Sequence, residues 1–575
     1  MGDLAGPGGD QEKNVLQPLT DVQHQVYQQQ PTVSETETVN DEKFVKPLSD
    51  LPETFSLLAK INVSYDTSAE TILLMSGKRI QKSADFEPLF DEEARAPSPP
   101  LPPDVDDRIY KDTSKLLCKD PICVVDTEAY AMGQSIRTHC ESSPIVLIRD
   151  LMRTVNFDFS LFSSETISES NPSQEIDQRT QHLMSPDKNM DKSGKQVWDC
   201  YSCEERTTIA KYAKYQKKVS KEKAEKPPRI GSKRALQSTE SHGSKRRKVI
   251  KFGTNVDLSD AIKWAPQLKE IEKLPPFLKV NHDGNMLSHL GHQVYGMNTV
   301  QLYMKVTGSK TPAHQENNSI ASININVGPG DCEWFGCAYE YWGVIEKLCK
   351  KHGIDYLKDS YWPNLDELLA ENVPVYRFTQ KPRDLVWVGS GCVHWVQALG
   401  VCNNVSWNVG PFSHHQLSMS IRSHEFNKVR GYKSLVPMQH MAWQLAKTKY
   451  FTDRKLYDLI RGLLIRSLSF CKYVMDYATA NGKQFKSQPR QKREFAHYCT
   501  SCKIEVFNIL FIKEVKNEFQ VYCVYCLRKE GLNEYAVLQQ MTFSELSEIY
   551  NGMRFIDAPK PPCYGFDCKY HPCHH

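Results

Sequence analysis

His314 and Glu316 stand two residues apart in Thr311-Pro312-Ala313-His314-Gln315-Glu316-Asn317, and His394 follows far downstream in Cys392-Val393-His394-Trp395. Two imidazoles and one carboxylate in a His-x-Glu…His pattern can occupy one face of an octahedral iron(II) site, leaving three positions for a cosubstrate and oxygen. Such chemistry needs a cation as well. A cosubstrate of the 2-oxoglutarate type brings a distal carboxylate, which costs several kcal/mol, roughly, if it is buried unpaired. Just upstream of His314, Lys305 supplies a charge and Thr311 a hydroxyl. A second metal signature follows in Cys499-x2-Cys502 and Cys523-x2-Cys526. Two such pairs read as a tetrahedral zinc site, structural because four thiolates leave no open position. A His-x-Glu pair also occurs by chance on protein surfaces, so the elements that aim these residues must carry the reading.

Side chains alternate faces along a strand, so a strand-like segment aims His314 and Glu316 at one point. Ser322-Ile323-Asn324-Ile325-Asn326-Val327 alternates strictly, with Ser322, Asn324 and Asn326 on its polar face. Leu302 to Val306 places Tyr303 and Lys305 together, and Asn404 to Val409 does the same for Asn404, Ser406 and Asn408. Several strands with one polar face each predict an antiparallel barrel around a ligand cavity. Asn324 and Asn404 also suit ordinary turn or edge positions. Residues 437–480 predict helix, with Leu456, Leu459, Ile460, Leu463, Leu464 and Leu468 on one face at 3.6 spacing. Pro144 to Met152 reads as a short helix, and Thr207 to Tyr215 as another.

A chain of 575 residues has room for two to four domains. A net charge of +3 excludes a global electrostatic attraction to nucleic acid. With no leader-like segment and no long apolar run, neither secretion nor membrane spanning is expected. The 18 cysteines are then expected as reduced thiols and metal ligands. The expected organisation is a disordered tail over 1–105, helical and linker segments over 106–262, and a strand-rich catalytic domain over 263–426. A helical domain over 427–494, a zinc module over 495–555 and a disordered Cys/His tail over 556–575 follow. Within the first tail, Thr71 to Met75 is a short apolar piece, read as loose chain or a docking motif. Cys200 and Cys203 read as free thiols. Lys233-Arg234 with Lys245-Arg246-Arg247-Lys248, in a charged loop near 214–251, reads as a bipartite nuclear localisation signal, or else as a solvated loop.

The stretches Gly296 to Val306, His314 to Asn318, Gly328 to Phe335, Pro374 to Phe378 and Val393 to Pro411 resemble the JmjC domain of the UTX-type histone demethylases. Phe157 to Ser163, Thr208 to Ala213 and Lys251 to Asn255 resemble the family's upstream segment, so the likeness covers roughly 140–550. It implies a mixed α+β fold: a JmjC double-stranded β-helix, or cupin-like jelly roll, with helical support and a small zinc module. It also implies iron(II) on His314, Glu316 and His394, 2-oxoglutarate contacts from Lys305, Thr311, Ser322, Asn324 and Asn404, and Tyr303 beside the cosubstrate and the methylated ammonium. The implied activity uses O2 and 2-oxoglutarate to remove methyl groups, as formaldehyde, from di- or trimethylated lysine 27 of histone H3, with the zinc module gripping the H3 tail of the nucleosome. Importin and chromatin complexes are the further partners expected, the nucleus the location, and a short member without tetratricopeptide repeats the closest type. Cys392 stands where the family has Thr, Ser406 where it has Ala, and Gly336 to Tyr339 diverge. These departures leave open a chromatin scaffold with weak or no catalysis, or a protein hydroxylase.

Overall fold

The computed structural model describes residues 64–82, 116–224 and 248–556. The Gln-rich stretch, the proline cluster, all of the basic signal except Lys248, and the Cys/His tail lie outside the described residues. Two sheets stack face to face. The smaller runs β1 (Leu117–Cys118), β11 (Val375–Gln380), β10 (Cys332–Cys337), β13 (Val393–Ala398) and β8 (Lys310–His314). The larger runs β2 (Ile122–Val124), β3 (Ile145–Arg149), β12 (Leu385–Val388), β9 (Ser322–Pro329), β14 (Cys402–Asn408), β7 (Gln301–Lys305), β6 (Val249–Asp257), β4 (Glu175–His182) and β5 (Ser202–Thr208).

Alternation along these strands decides where each face goes. Leu302, Met304, Ile323, Ile325, Val405 and Trp407 point outward into a core shared with the upstream segments. Phe335, Cys337, Val393 and Trp395 form a second outer core on the smaller sheet. Between the sheets, Ile145, Leu147, Trp334, Val386 and Val396 close one end with an apolar cluster. The rest of that space is lined by the polar faces of β7, β9 and β14, as the alternation predicts.

Two expectations are corrected. Pro144 to Met152 is not a helix: Ile145–Arg149 is strand β3, paired antiparallel to β12 and parallel to β2, with one helical turn only after Asp150. A short β-branched run buried on both faces favours a strand, and its periodicity cannot separate it from helix. The N-terminal tail is not disordered throughout. Helix α1 (Ala69–Lys82) packs on α5 (Arg454–Ala480) and α6 (Phe543–Gly552), with Ala69 and Ile72 fully buried. Ser76 Oγ meets Ser469 Oγ at 2.8 Å, and the Arg461 guanidinium donates to the Tyr65 carbonyl at 2.6 and 2.9 Å. A short helix is marginal alone and is held by tertiary packing, so tail composition does not reveal it.

The predicted helix at Thr207 to Tyr215 begins two residues later as α2 (Ile209–Ala224). After α3 (His414–Val429), the helical stretch near 437–480 is α4 (Met438–Thr448) and α5. Asp453 caps α5 by accepting from the Lys455 and Leu456 N–H groups. Leu456, Leu459, Ile460, Leu464 and Leu468 are buried and Leu463 partly so. Among the described residues, no helix is long and apolar enough to cross a membrane.

Candidate active site and metal centres

Strands β8 and β13 are antiparallel neighbours, and their register sets His314 directly opposite His394. The two rings lie 4.3 Å apart. His314 Nδ1 contacts the Pro312 carbonyl at 2.8 Å and His394 Nδ1 the Cys392 carbonyl at 3.2 Å. A carbonyl only accepts, so each Nδ1 carries the proton and each Nε2 keeps a lone pair for a metal. Glu316 follows the end of β8. Its Oε2 accepts from Asn408 Nδ2 at 3.1 Å, the Ser322 hydroxyl donates to the same carboxylate, and Oε1 lies 3.7 Å from His394 Nε2. One ligand atom from each of the three lies within 4.8 Å of the others.

The electrostatics suit a cation. Burial, then the neighbouring His314, pushes His394 down to about 4, so it stands as a neutral ligand at pH 7. Burial works to raise Glu316, but His314, His394 and the hydrogen bonds from Asn408 and Ser322 outweigh it and hold the carboxyl below its usual range. Two imidazoles and one carboxylate brought together on one side are the donor set of a facial iron(II) site. The Trp334 ring stacks on His394 at 5.8 Å and 13° and limits its rotation.

Of the residues assigned to the cosubstrate, all but Thr311 come from the opposite sheet. Tyr303 and Lys305 share the inner face of β7, and Asn404 on β14 pairs with Tyr303. Asn404 Nδ2 donates to Asn324 Oδ1 at 2.9 Å, which joins these two predicted residues directly. Lys305 is buried, and its backbone carbonyl accepts from Gln216 Nε2 at 2.9 Å. Among the described residues none accepts a hydrogen bond from Lys305 Nζ, whose charge lies 5.8 Å from the Phe252 ring. Ser322 reaches Glu316 and so braces the metal carboxylate. Thr311 pairs with Val396 on the smaller sheet, half-exposed and without a side-chain hydrogen bond among the described residues. Tyr303 donates to Gln301 Oε1 at 2.9 Å, and burial followed by the Glu316 charge pushes its phenol well up, which keeps it a neutral donor.

The departures from the family pattern are absorbed locally. Cys392 serves His394 through its backbone carbonyl, which any residue supplies. Ser406 Oγ donates to the Ile323 carbonyl at 2.7 Å. Gly336 lies opposite His394, and a Cβ there would meet Ile145 Cδ1 at 3.2 Å. Residue reasoning missed Gln380 and Gln216. Gln380 is fully buried, accepts from Trp334 Nε1 at 2.8 Å, and donates to the Asn324 carbonyl at 3.0 Å. Nothing local marks either glutamine. Asn408 was visible on the polar face of β14, but not its contact to Glu316.

The four predicted zinc ligands converge. Cys499 and Cys526 sulfurs lie 3.7 Å apart, and those of Cys502 and Cys523 3.6 Å. A tetrahedron with sulfurs about 2.3 Å from its centre has edges of about 3.8 Å, so the cluster fits zinc. Lys503 takes φ 63° to turn the first knuckle, and its N–H donates to the Cys499 carbonyl at 2.9 Å. The module is docked through Glu505, whose carboxylate accepts from the Gln439 and His440 N–H groups at 3.0 and 2.8 Å and so caps the start of α4. Cys200 is buried and Cys203 exposed, both as free thiols.

Residues 301–409 match the family described as "JmjC domain, hydroxylase". Residues 416–471 match "Lysine-specific demethylase 6/UTY, C-terminal helical domain", and residues 488–543 match "KDM6, GATA-like". The chain is 40% identical over 496 residues to human "Lysine-specific demethylase 6B", covering 84% of this chain and 30% of that protein. It is 34% identical over 471 residues to "Lysine-specific demethylase jmjd-3.1" of Caenorhabditis elegans, covering 77% of this chain and 43% of the other. It thus spans less than half the length of these relatives. A JmjC domain implies iron(II) and 2-oxoglutarate, and the His-Glu-His and Cys clusters are groups that could hold iron and zinc. With its JmjC domain, helical domain and GATA-like module in this order, the chain belongs to the lysine-specific demethylase 6/UTY family of JmjC proteins.

Proposed function

We propose that this protein is an iron(II)- and 2-oxoglutarate-dependent dioxygenase that demethylates di- and trimethylated lysine 27 of histone H3 and so relieves transcriptional repression. The observation that carries the reading is a His-Glu-His triad on the smaller sheet that could hold a metal and, on the inner face of the larger sheet, a buried lysine whose ammonium donates to no group among the described residues. His314, Glu316 and His394 hold the iron, which couples decarboxylation of 2-oxoglutarate to hydroxylation of an N-methyl carbon when bound. Lys305 pairs with the distal carboxylate of 2-oxoglutarate. Asn404 and Asn324, locked to each other, present amide groups to the same molecule, and Thr311 adds a hydroxyl at the mouth. Tyr303, its phenol neutral and its proton on Gln301 Oε1, stands between cosubstrate and methylated ammonium. The hydroxymethyl product loses formaldehyde and leaves an amine with one methyl fewer. No nitrogen lone pair takes part, so a trimethylated lysine is a substrate.

Cys499, Cys502, Cys523 and Cys526 hold a structural zinc, and the module they fold grips the histone tail. The basic cluster around Lys233 and Lys245 is read by importin, the protein acts in the nucleus, and its N-terminal tail engages chromatin complexes. The test is to incubate the protein with iron(II), 2-oxoglutarate and methylated H3 peptides and to follow peptide mass. Stepwise loss of CH2 from the lysine 27 peptide, abolished by His314→Ala, is expected. No mass change and no succinate refutes an enzyme and leaves a chromatin scaffold. A gain of one oxygen identifies a hydroxylase instead.

A further inference from the structure

Cys332 and Cys402 face each other between the two sheets, sulfur to sulfur at 3.5 Å, and both are fully buried. The backbone builds this closeness. A Cβ added to Gly330 would lie 2.5 Å from the Gly400 Cα, so the two turns touch main chain to main chain. The Gly330 N–H donates to the Val401 carbonyl at 2.8 Å and the Leu399 N–H to the Asp331 carbonyl at 2.8 Å. Strands β10 and β14 leave this crossing with Cys332 and Cys402 as their first residues.

The pair sits among the residues assigned to the cosubstrate. Asn404 Oδ1 lies 3.6 Å from the Cys332 sulfur and 3.7 Å from that of Cys402. Lys305 is the cross-strand partner of Cys402. The hydrogen bond from Cys402, helped by the Lys305 charge, pulls the Cys332 thiol down to about 7, while the same contact pushes Cys402 well up. Two sulfurs in contact, one of them easier to ionise than the other, are the arrangement of an attacking and a resolving cysteine. Tyr303, Thr311 and Asn324 are each only partly buried, so the inner face of these strands is not wholly sealed from solvent.

We propose that Cys332 and Cys402 are a reversible redox site inside the 2-oxoglutarate pocket, closed to a disulfide by hydroperoxides, and that closure weakens 2-oxoglutarate binding. This rests on the assignment of Lys305 and Asn404 to that cosubstrate. The Cys332 thiolate attacks a peroxide oxygen, the O–O bond breaks, and hydroxide leaves, leaving a sulfenic acid on Cys332. The Cys402 sulfur then attacks the Cys332 sulfur. The S–S bond forms, the S–O bond breaks, and the departing hydroxide carries off the Cys402 proton as water. Two thiols lose two electrons, and one hydrogen peroxide becomes two waters. Closure draws the sulfurs from 3.5 Å to the roughly 2.05 Å of a disulfide and leaves no thiol to donate to Asn404 Oδ1.

The test uses the full chain, zinc-loaded, with manganese(II) in place of iron so that peroxide is not consumed at the metal. After hydrogen peroxide treatment and alkylation, peptide mapping is expected to give a Cys332–Cys402 cross-link lighter by two hydrogens, formed more slowly when 2-oxoglutarate is present. Calorimetry is expected to show 2-oxoglutarate binding about tenfold weaker or worse after oxidation, the size of one lost charge-assisted hydrogen bond. Dithiothreitol restores it, and the affinity of Cys332→Ser is unchanged by peroxide. Alkylation of both cysteines after treatment overturns the redox site. A cross-link without loss of affinity, or the same loss in Cys332→Ser, overturns its effect on the cosubstrate. If 2-oxoglutarate fails to bind even the reduced protein, the cosubstrate assignment falls, while the peptide map still judges the cysteine pair.

Discussion

Replacing Lys305 with Met moves stability and cosubstrate affinity in opposite directions. The side chain is buried at 2% exposure, and among the described residues nothing accepts from its ammonium. A buried charge without a counter-ion costs the fold several kcal/mol, roughly, and an apolar residue of similar volume in its place is neutral or stabilising by about 1 kcal/mol or more. The free Lys305→Met protein is therefore expected to be at least as stable as the parent in urea denaturation. With 2-oxoglutarate the sign reverses. Two unit charges about 4 Å apart at an effective dielectric constant of about 20 attract by about 4 kcal/mol. Loss of about 3–4 kcal/mol weakens binding by roughly 100- to 1000-fold. Titration calorimetry of 2-oxoglutarate into manganese-loaded protein measures this, and metal analysis is expected to show the triad still filled. A variant less stable than the parent by more than about 1 kcal/mol refutes the reading of Lys305 as a waiting cation. Unchanged 2-oxoglutarate affinity refutes it equally.

Cys499→Ser is expected to release zinc and unfold the module around it; unchanged zinc stoichiometry in plasma emission analysis counts against the four-cysteine assignment. Ile72→Ala removes fully buried methyl groups from the contact between α1 and α5 and is expected to cost about 2–4 kcal/mol, with faster hydrogen exchange over 69–82. Exchange at the parent rate refutes the docked helix. Burial, then the Arg490 charge, holds His292 at about 4 and His440 at about 3, both below the 6.5 of an unfolded histidine. The unfolded chain binds more protons below pH 6.5, so stability is fully present above that pH and falls towards pH 4, by about 3 kcal/mol for His292 alone. Denaturation midpoints that stay level from pH 7 to pH 5 contradict this.

Strand alternation made the candidate site legible because a period of two fixes which side chains share a face. Tyr303 with Lys305, Ser322 with Asn324, and Asn404 with Asn408 all took the inner positions that this period assigns. The four-cysteine cluster was legible for a similar reason, since two residues between cysteines is what a zinc knuckle spans. What stayed hidden depends on partners remote in sequence. Ser322 braces Glu316, a contact that no local pattern distinguishes from one to a cosubstrate. Gln380 and Gln216 reach Asn324 and Lys305 from strands and helices far along the chain. Helix α1 looks like tail because its apolar partners, on α5 and α6, lie hundreds of residues away. Ile145 to Ile148 could be read either way, and only pairing with β2 and β12 made them a strand.

The two walls of the cavity have separate origins, and this bears on which changes the site tolerates. The candidate metal ligands come from β8, its following turn and β13 on the smaller sheet, whereas Lys305, Asn324 and Asn404 come from β7, β9 and β14 on the larger one. The candidate site then depends on register in both sheets more than on any single neighbour. A one-residue slip of β14 would turn Val405 inward in place of Asn404 and drive Asn404 into the apolar outer core. Cys392 in place of a threonine changes no register and leaves its backbone carbonyl on His394. Substitutions that keep strand pairing and the inward polar face should therefore be tolerated even beside a metal ligand. A single insertion in β9 or β14, far from the metal, should abolish cosubstrate binding while the triad still holds its ion.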